Sequence, residues 1–208
     1  MQGKRWTVLW LGLMACAAAA ARADYLDTIP VFWRELYPEG GTGLYCGQKF
    51  APHDRRMNIE HVFPMSWVGR DLKCGDRRRC RATSARFNRI ESDLHNLFPA
   101  RKDLNELRRS YRYGYIKGER WVEPGCDFEV DERARVAEPR PAVHGDIARA
   151  MLYMEFRHGL TLQTRTRELM LRWHRDDPPD ADERLRNDRI ERIQGNRNPY
   201  VDHPEQVK

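Results

Sequence analysis

Cysteine is scarce in this chain, with five in 208 residues and no Cys-x-x-Cys pair among them. That argues against a zinc ribbon or finger as the organising element. Beyond residue 23 there is no internal repeat, no low-complexity tract and no linker long enough to separate a pair of domains, so a solenoid and a two-domain layout are excluded. No helix carries a pattern suited to reading base edges in a groove, which argues against a sequence-specific DNA reader. Nor does an apolar run long enough to cross a bilayer comfortably occur, since residues 6–21 supply only about 16 such positions. What is present is a globular composition with a wet surface, 40% hydrophobic and 33% charged. Its length suits one domain with a sizeable core.

The first 23 residues have the layout of a secretory signal peptide. Lys4 and Arg5 form a positive head, an alanine-rich apolar stretch follows, and Ala21-Arg22-Ala23 offers a small-x-small cleavage site. Cleavage after Ala23 leaves residues 24–208 as the mature domain. A lipoprotein signal with lipid on Cys16 is the alternative. Losing Lys4, Arg5 and Arg22 from the 37 basic residues, set against 31 acidic ones, leaves the mature chain at +3. Cys46, Cys74, Cys80 and Cys126 remain, an even number in an oxidising compartment, so disulfides are expected. Three connectivities are possible. Cys74 with Cys80 closes a short loop and leaves Cys46 with Cys126. A zinc site is the other use for these cysteines.

The distribution of charge says more than its sum. Residues 70–89 hold eight basic side chains (Arg70, Lys73, Arg77, Arg78, Arg79, Arg81, Arg86, Arg89) against Asp71 and Asp76. Such a block suits a polyanion, with a solvated loop as the plain alternative. Around it the pattern predicts a first helix over 24–37, loop over 38–56 and a strand over 57–63 ended by Pro64. Loop is expected over 70–83. A helix capped by Ser84 is expected to run to Phe98, with Phe87, Ile90, Leu94, Leu97 and Phe98 on one face. Short strands are expected over 114–143, and further helices over 146–158, 162–174 and 182–194, two of them stopped by Gly159 and Gly195. The class is α+β, mostly helical, with a small β element. His53, His144, His158 and His174 read as surface or loop residues, and Tyr111, Tyr113 and Tyr115 as packing residues.

Hydrolysis of a phosphodiester needs a base near neutrality and cations to absorb negative charge. His61 suits the base, with an unperturbed pKa of about 6.5. Glu60 and Asn96 suit Mg²⁺, which prefers oxygen ligands. Adjacent strand residues face opposite ways, so Glu60 and His61 share a site only where the strand twists or ends. His95 reads as a buttress rather than a ligand.

These residues fall in stretches that resemble the bacterial endonuclease I family of periplasmic and secreted nucleases. The likeness runs through Ile59-Glu60-His61-Val62-Phe63-Pro64, the loop from Cys74 to Cys80, and Glu91-Ser92-Asp93-Leu94-His95-Asn96-Leu97-Phe98-Pro99. It continues through Asn105, Gly145-Asp146-Ile147-Ala148-Arg149-Ala150 and Arg189-Ile190-Glu191-Arg192-Ile193-Gln194-Gly195-Asn196-Arg197-Asn198-Pro199-Tyr200-Val201. The resemblance implies a nuclease domain over residues 24–208 with a ββα-metal (His-Me finger) site. In it His61 is the general base, and Glu60 and Asn96 are ligands of one Mg²⁺, with Mn²⁺ or Ca²⁺ as substitutes. It implies that Arg77, or Arg78 or Arg79 in this short loop, holds the cleaved phosphate. DNA, and in some members RNA, is the implied substrate, cut to 5′-phosphate ends. Arg70, Lys73, Arg78, Arg79 and Arg81 are then expected to follow the backbone phosphates, which confers little sequence preference. The competing reading is an exported nucleic-acid-binding protein without catalysis.

Overall fold

The computed structural model describes residues 24–207, so the expected signal peptide, its cleavage site and Cys16 lie outside the described residues. Helix α1 (Tyr25–Val31) starts at an Asp24 cap, whose carboxylate accepts from the Leu26 amide at 2.9 Å. A π-helical turn, Phe32–Leu36, continues it and buries Phe32 and Leu36. Together they fill the expected first helix. The Gly-rich stretch that follows is not wholly loop, because β1 (Gly41–Thr42) and β2 (Lys49–Phe50) pair antiparallel within it.

Strand β3 (Met57–His61) pairs antiparallel with β4 (Leu97–Arg101), placing Glu60 opposite Phe98 and His61 opposite Leu97. Helix α5 (Lys102–Arg108) follows β4 without a gap. These three elements make a ββα unit whose two strands are separated in sequence by residues 62–96. The intervening chain forms α2 (Met65–Asp71), α3 (Arg77–Thr83), α4 (Ala85–Glu91) and a 3₁₀ turn, Leu94–Asn96.

Two expectations fail here for physical reasons. Residues 70–83 are largely helical rather than loop. Helix α3 buries only Cys80, so it shows no apolar period, and its start is set by the Asp76 carboxylate accepting from the Arg79 amide at 2.8 Å. The helix from Ser84 stops at Glu91 rather than reaching Phe98. Asp93 turns the chain by accepting from the His95 amide at 3.0 Å, and Leu97, Phe98, Pro99 and Ala100 then enter a strand buried on both faces. A strand without a wet face reads as a continuous apolar run, which periodicity alone cannot separate from helix.

A second sheet holds β5 (Arg112–Tyr113), β6 (Phe128–Asp131) and β7 (Val136–Pro139) in the order β5-β7-β6, β5 running parallel to β7. Then come α6 (His144–His158), α7 (Thr164–Asp176), α8 (Ala181–Gln194) and a short α9 (Pro199–Asp202). Gly159 and Gly195 end α6 and α8 in the left-handed conformation that glycine adopts without steric cost. The main core joins α6 (Ile147, Met151, Met154) to Met170 and Trp173 of α7, Phe87 and Ile90 of α4, and Phe128 of β6. Each fully buried side chain of this kind stabilises the fold by about 1.5–3 kcal/mol. The architecture is α+β, as the sequence implied.

Disulfides join Cys46 to Cys126 and Cys74 to Cys80. Three histidines expected at the surface are not there. His144 is buried and stacks on Trp173 at 3.8 Å, His174 is buried, and His158 holds Asp93 at 2.8 Å. Of the three tyrosines, Tyr113 is buried, while Tyr115 is 60% exposed even though its hydroxyl accepts from Trp173 Nε1.

Candidate active site

Strand β3 ends at His61, and its last two residues, Glu60 and His61, both line one cleft of about 540 Å³. Pro64 and Ser66 at the start of α2, Gly75 to Arg77 at the start of α3, and Asn105 and Arg108 on α5 close its walls. The strand's termination lets neighbouring side chains reach one cavity despite the two-residue period.

The orientation of His61 follows from its partner. Nε2 lies 3.0 Å from the Glu91 carbonyl oxygen, which only accepts, so Nε2 carries the proton. Nδ1 is left with its lone pair. Burial, then the charge of Arg77, lowers the His61 pKa to about 3. The ring is therefore neutral at pH 7, with Nδ1 unprotonated.

Glu60 is buried beside it. Its Oε1 accepts from the Tyr45 hydroxyl at 2.7 Å and from Arg108 Nη1 at 2.8 Å, while Oε2 takes no side-chain donor. Arg108 is itself buried, donates to the Val62 carbonyl at 2.8 Å and lies 4.5 Å from the Tyr113 ring. Burial pushes the Glu60 carboxyl up, against the pull of Arg108. A buried carboxylate is tolerable only with such partners.

Asn96 does not join this cleft, contrary to expectation. It is 0% exposed, its Oδ1 accepts from the Phe63 amide at 2.6 Å, and its Nδ2 donates to the Phe63 carbonyl at 3.1 Å. Both amide atoms are spent on holding the chain just beyond β3. Asn105, nine positions later on α5, does line the cleft. Its Nδ2 donates to Asn58 Oδ1 at 2.9 Å and to the Ile59 carbonyl at 3.2 Å, which fixes the amide and leaves Oδ1 without a donor among the described residues. The oxygen pair offered to a hard cation is thus Glu60 Oε2 with Asn105 Oδ1.

Arg77 is the first residue of α3 and reaches the cleft, whereas Arg70, Lys73, Arg78 and Arg79 are exposed and lie outside its lining. Arg70 instead lies against the Trp67 ring at 5.9 Å. Arg77 Nε donates to Glu91 Oε1, and Arg81 binds the same carboxylate at 2.7 and 2.9 Å. Buried Glu91 thus fixes His61 through its carbonyl and two arginines through its side chain. His95 is buried, its Nε2 3.2 Å from the Asn196 carbonyl oxygen and its pKa lowered by burial to about 4.

Residue-type reasoning missed Asn105, Arg108, Glu91, Tyr45 and Tyr25 as members of this site. Asn105 and Glu91 carried a signal only through the resemblance. The others are ordinary residues until the fold brings them together.

Known proteins resemble this chain over most of its length. The sequence profile of the family described as Endonuclease I matches residues 34–205. A periplasmic deoxyribonuclease of Aeromonas hydrophila is 38% identical over 81% of this chain and 73% of its own length. An extracellular deoxyribonuclease of the same organism is 34% identical over 94% of this chain and 96% of its own. An extracellular ribonuclease of Bacillus subtilis (strain 168) is 34% identical over 55% of this chain and 44% of its own.

Proposed function

Because the chain belongs to the endonuclease I family and is a nuclease, we propose that it is exported and cuts DNA at phosphodiester bonds with the help of one Mg²⁺. The observation that carries this reading is the fixed tautomer of His61, which leaves Nδ1 unprotonated on a residue that shares one cleft with Glu60 and Asn105. A carboxylate and an amide oxygen are the donors that Mg²⁺ prefers, and Mn²⁺ or Ca²⁺ would find the same pair. Bound there, the cation would supply Lewis-acid stabilisation of charge on the phosphate and on the leaving oxygen.

His61 Nδ1 takes a proton from the attacking water. Arg77 lends only Nε to Glu91, so its terminal nitrogens are available to a phosphate oxygen. Water adds to phosphorus, the bond to the 3′-oxygen breaks, and the 5′-phosphate remains on the downstream fragment. The exposed Arg70, Lys73, Arg78 and Arg79 extend this charge beyond the cleft and contact backbone phosphates without reading sequence.

Export is supported by the signal-like first 23 residues, by the two disulfides and by the periplasmic and extracellular settings of the Aeromonas relatives. Residues 24–208 then form the mature nuclease domain. RNA is a second substrate to test, since a ribonuclease stands among the relatives.

The test is digestion of supercoiled plasmid and of ribosomal RNA by the oxidised protein, with Mg²⁺ and with EDTA, beside His61→Ala. Metal-dependent cutting that His61→Ala loses by at least about 100-fold is expected. Equal cutting by wild type and His61→Ala would sink the assignment of the base. The polymer consumed faster identifies the substrate. Binding should also weaken steeply with salt, and a flat salt response would remove the phosphate track.

A further inference from the structure

Tyr25 lies at the start of α1, far in sequence from the cleft residues, yet it touches His61, Arg77 and Arg81. Its ring centroid is 5.0 Å from that of His61, with the rings tilted at 49°. The guanidinium carbons of Arg77 and Arg81 each stand 5.3 Å from the same ring. Helix α1 buries no residue of its own, and its Leu26 is 63% exposed. The helix is anchored instead by Phe32 and Leu36 of the following π-helical turn, which pack with Leu94, Leu97 and Ile190. Tyr25, half-buried at the opposite end, packs on the edge of that small cluster.

Resting on the function proposed above, we infer that Tyr25 is a positioning residue for the reaction, an aromatic wall that holds Arg77 and Arg81 for phosphate and closes one side of His61. Two guanidinium groups side by side repel each other. The single carboxylate of Glu91 bridges them from within. A second carboxylate on the open side would occupy the N–H donors that a phosphate needs and cancel the positive charge that attracts it. An aromatic face does neither. It attracts the cations through its quadrupole, within the roughly 6 Å over which this interaction acts, and takes from them no more than a hydrogen bond of Arg77 to its hydroxyl. Its bulk also restricts where the His61 ring can swing, which favours the orientation set by the Glu91 carbonyl.

Three substitutions separate the wall from mere packing. Tyr25→Phe keeps the ring and loses the hydroxyl. Tyr25→Leu keeps apolar bulk and loses the ring face. Tyr25→Ala loses both. With plasmid substrate and oxidised protein, and with melting temperatures measured so that all assays run well below them, Tyr25→Phe is expected within about twofold of wild type. Tyr25→Leu and Tyr25→Ala are expected to lose about tenfold in kcat with KM changed by less than about twofold, because the arginines and the base are needed mainly as charge develops. Wild-type kcat in Tyr25→Leu would overturn the inference, and so would equal loss in Tyr25→Phe and Tyr25→Leu, or a loss confined to KM. Should Tyr25→Ala fail to fold, the Phe and Leu pair decides alone. Absence of cutting by the wild-type chain would remove the nuclease mechanism and this role with it. Cutting that is indifferent to Tyr25 would remove this role only.

Discussion

Asn96 and Asn105 are the same residue type, both fall in stretches that resemble known nucleases, and only their partners tell them apart. Asn96 behaves as a piece of backbone, exchanging two hydrogen bonds with Phe63 at full burial. Asn96→Ala strands a buried N–H and a buried C=O, so it should lower unfolding stability by about 2–4 kcal/mol in denaturant titration. Asn105→Ala removes a cleft oxygen whose surroundings are only half-buried. It should change stability by less than about 1 kcal/mol while weakening Mg²⁺ binding measured by calorimetry. The reverse pattern, intact Mg²⁺ binding in Asn105→Ala and lost binding in a folded Asn96→Ala, would restore Asn96 as the candidate ligand. Glu60 and His61 were legible from their chemistry, whereas Arg77 was singled out only through the resemblance. Arg108 was not, since a basic residue on a short helix gives no hint that it will be buried against a carboxylate.

At the scale of elements, legibility followed the contrast between wet and dry faces. Helices α6 and α8 announce themselves by their glycine stops, and the expected spans of 146–158 and 182–194 differ from those observed by two residues and one at their starts. Strand β4 has no wet face, and α3 has almost no dry one, so neither shows a period. For α3 the informative residue is Asp76, whose cap fixes where the helix begins and hence where Arg77 projects. Asp76→Ala should cost about 1 kcal/mol of stability. It should also lower kcat, because the first turn that carries Arg77 then frays. A stability loss without any kinetic change would mean that Glu91 alone keeps Arg77 in place.

At the scale of the molecule, buried neutral histidines make stability depend on pH. His95 has a folded pKa of about 4, lowered chiefly by burial, against about 6.5 for the unfolded chain. The folded value is the lower one, so below pH 6.5 the unfolded chain takes up a proton that the folded chain refuses. Stability therefore falls as the pH drops from about 6.5 to 4, by up to about 3 kcal/mol for this residue, and the loss levels off below that. Denaturant titrations across that window should show the slope, and a folded His95→Gln variant should make it shallower, with buried His61 keeping the remainder. An unchanged slope in that variant would assign the acid sensitivity elsewhere.

The strand pair that frames the cleft is closed over the long excursion of residues 62–96, and the cleft also draws on Tyr25 and on α5. The full set is spread over residues 25–110, so no short fragment holds it. Bringing β3 to β4 costs loop-closure entropy before the pairing gives anything back, so the cutting apparatus exists only once the long excursion between the two strands has closed. A chain that has not yet added β4 and α5 would be inert toward the nucleic acid around it. In refolding experiments on the oxidised protein, nuclease activity should return together with the burial of the core tryptophan Trp173, and not before it.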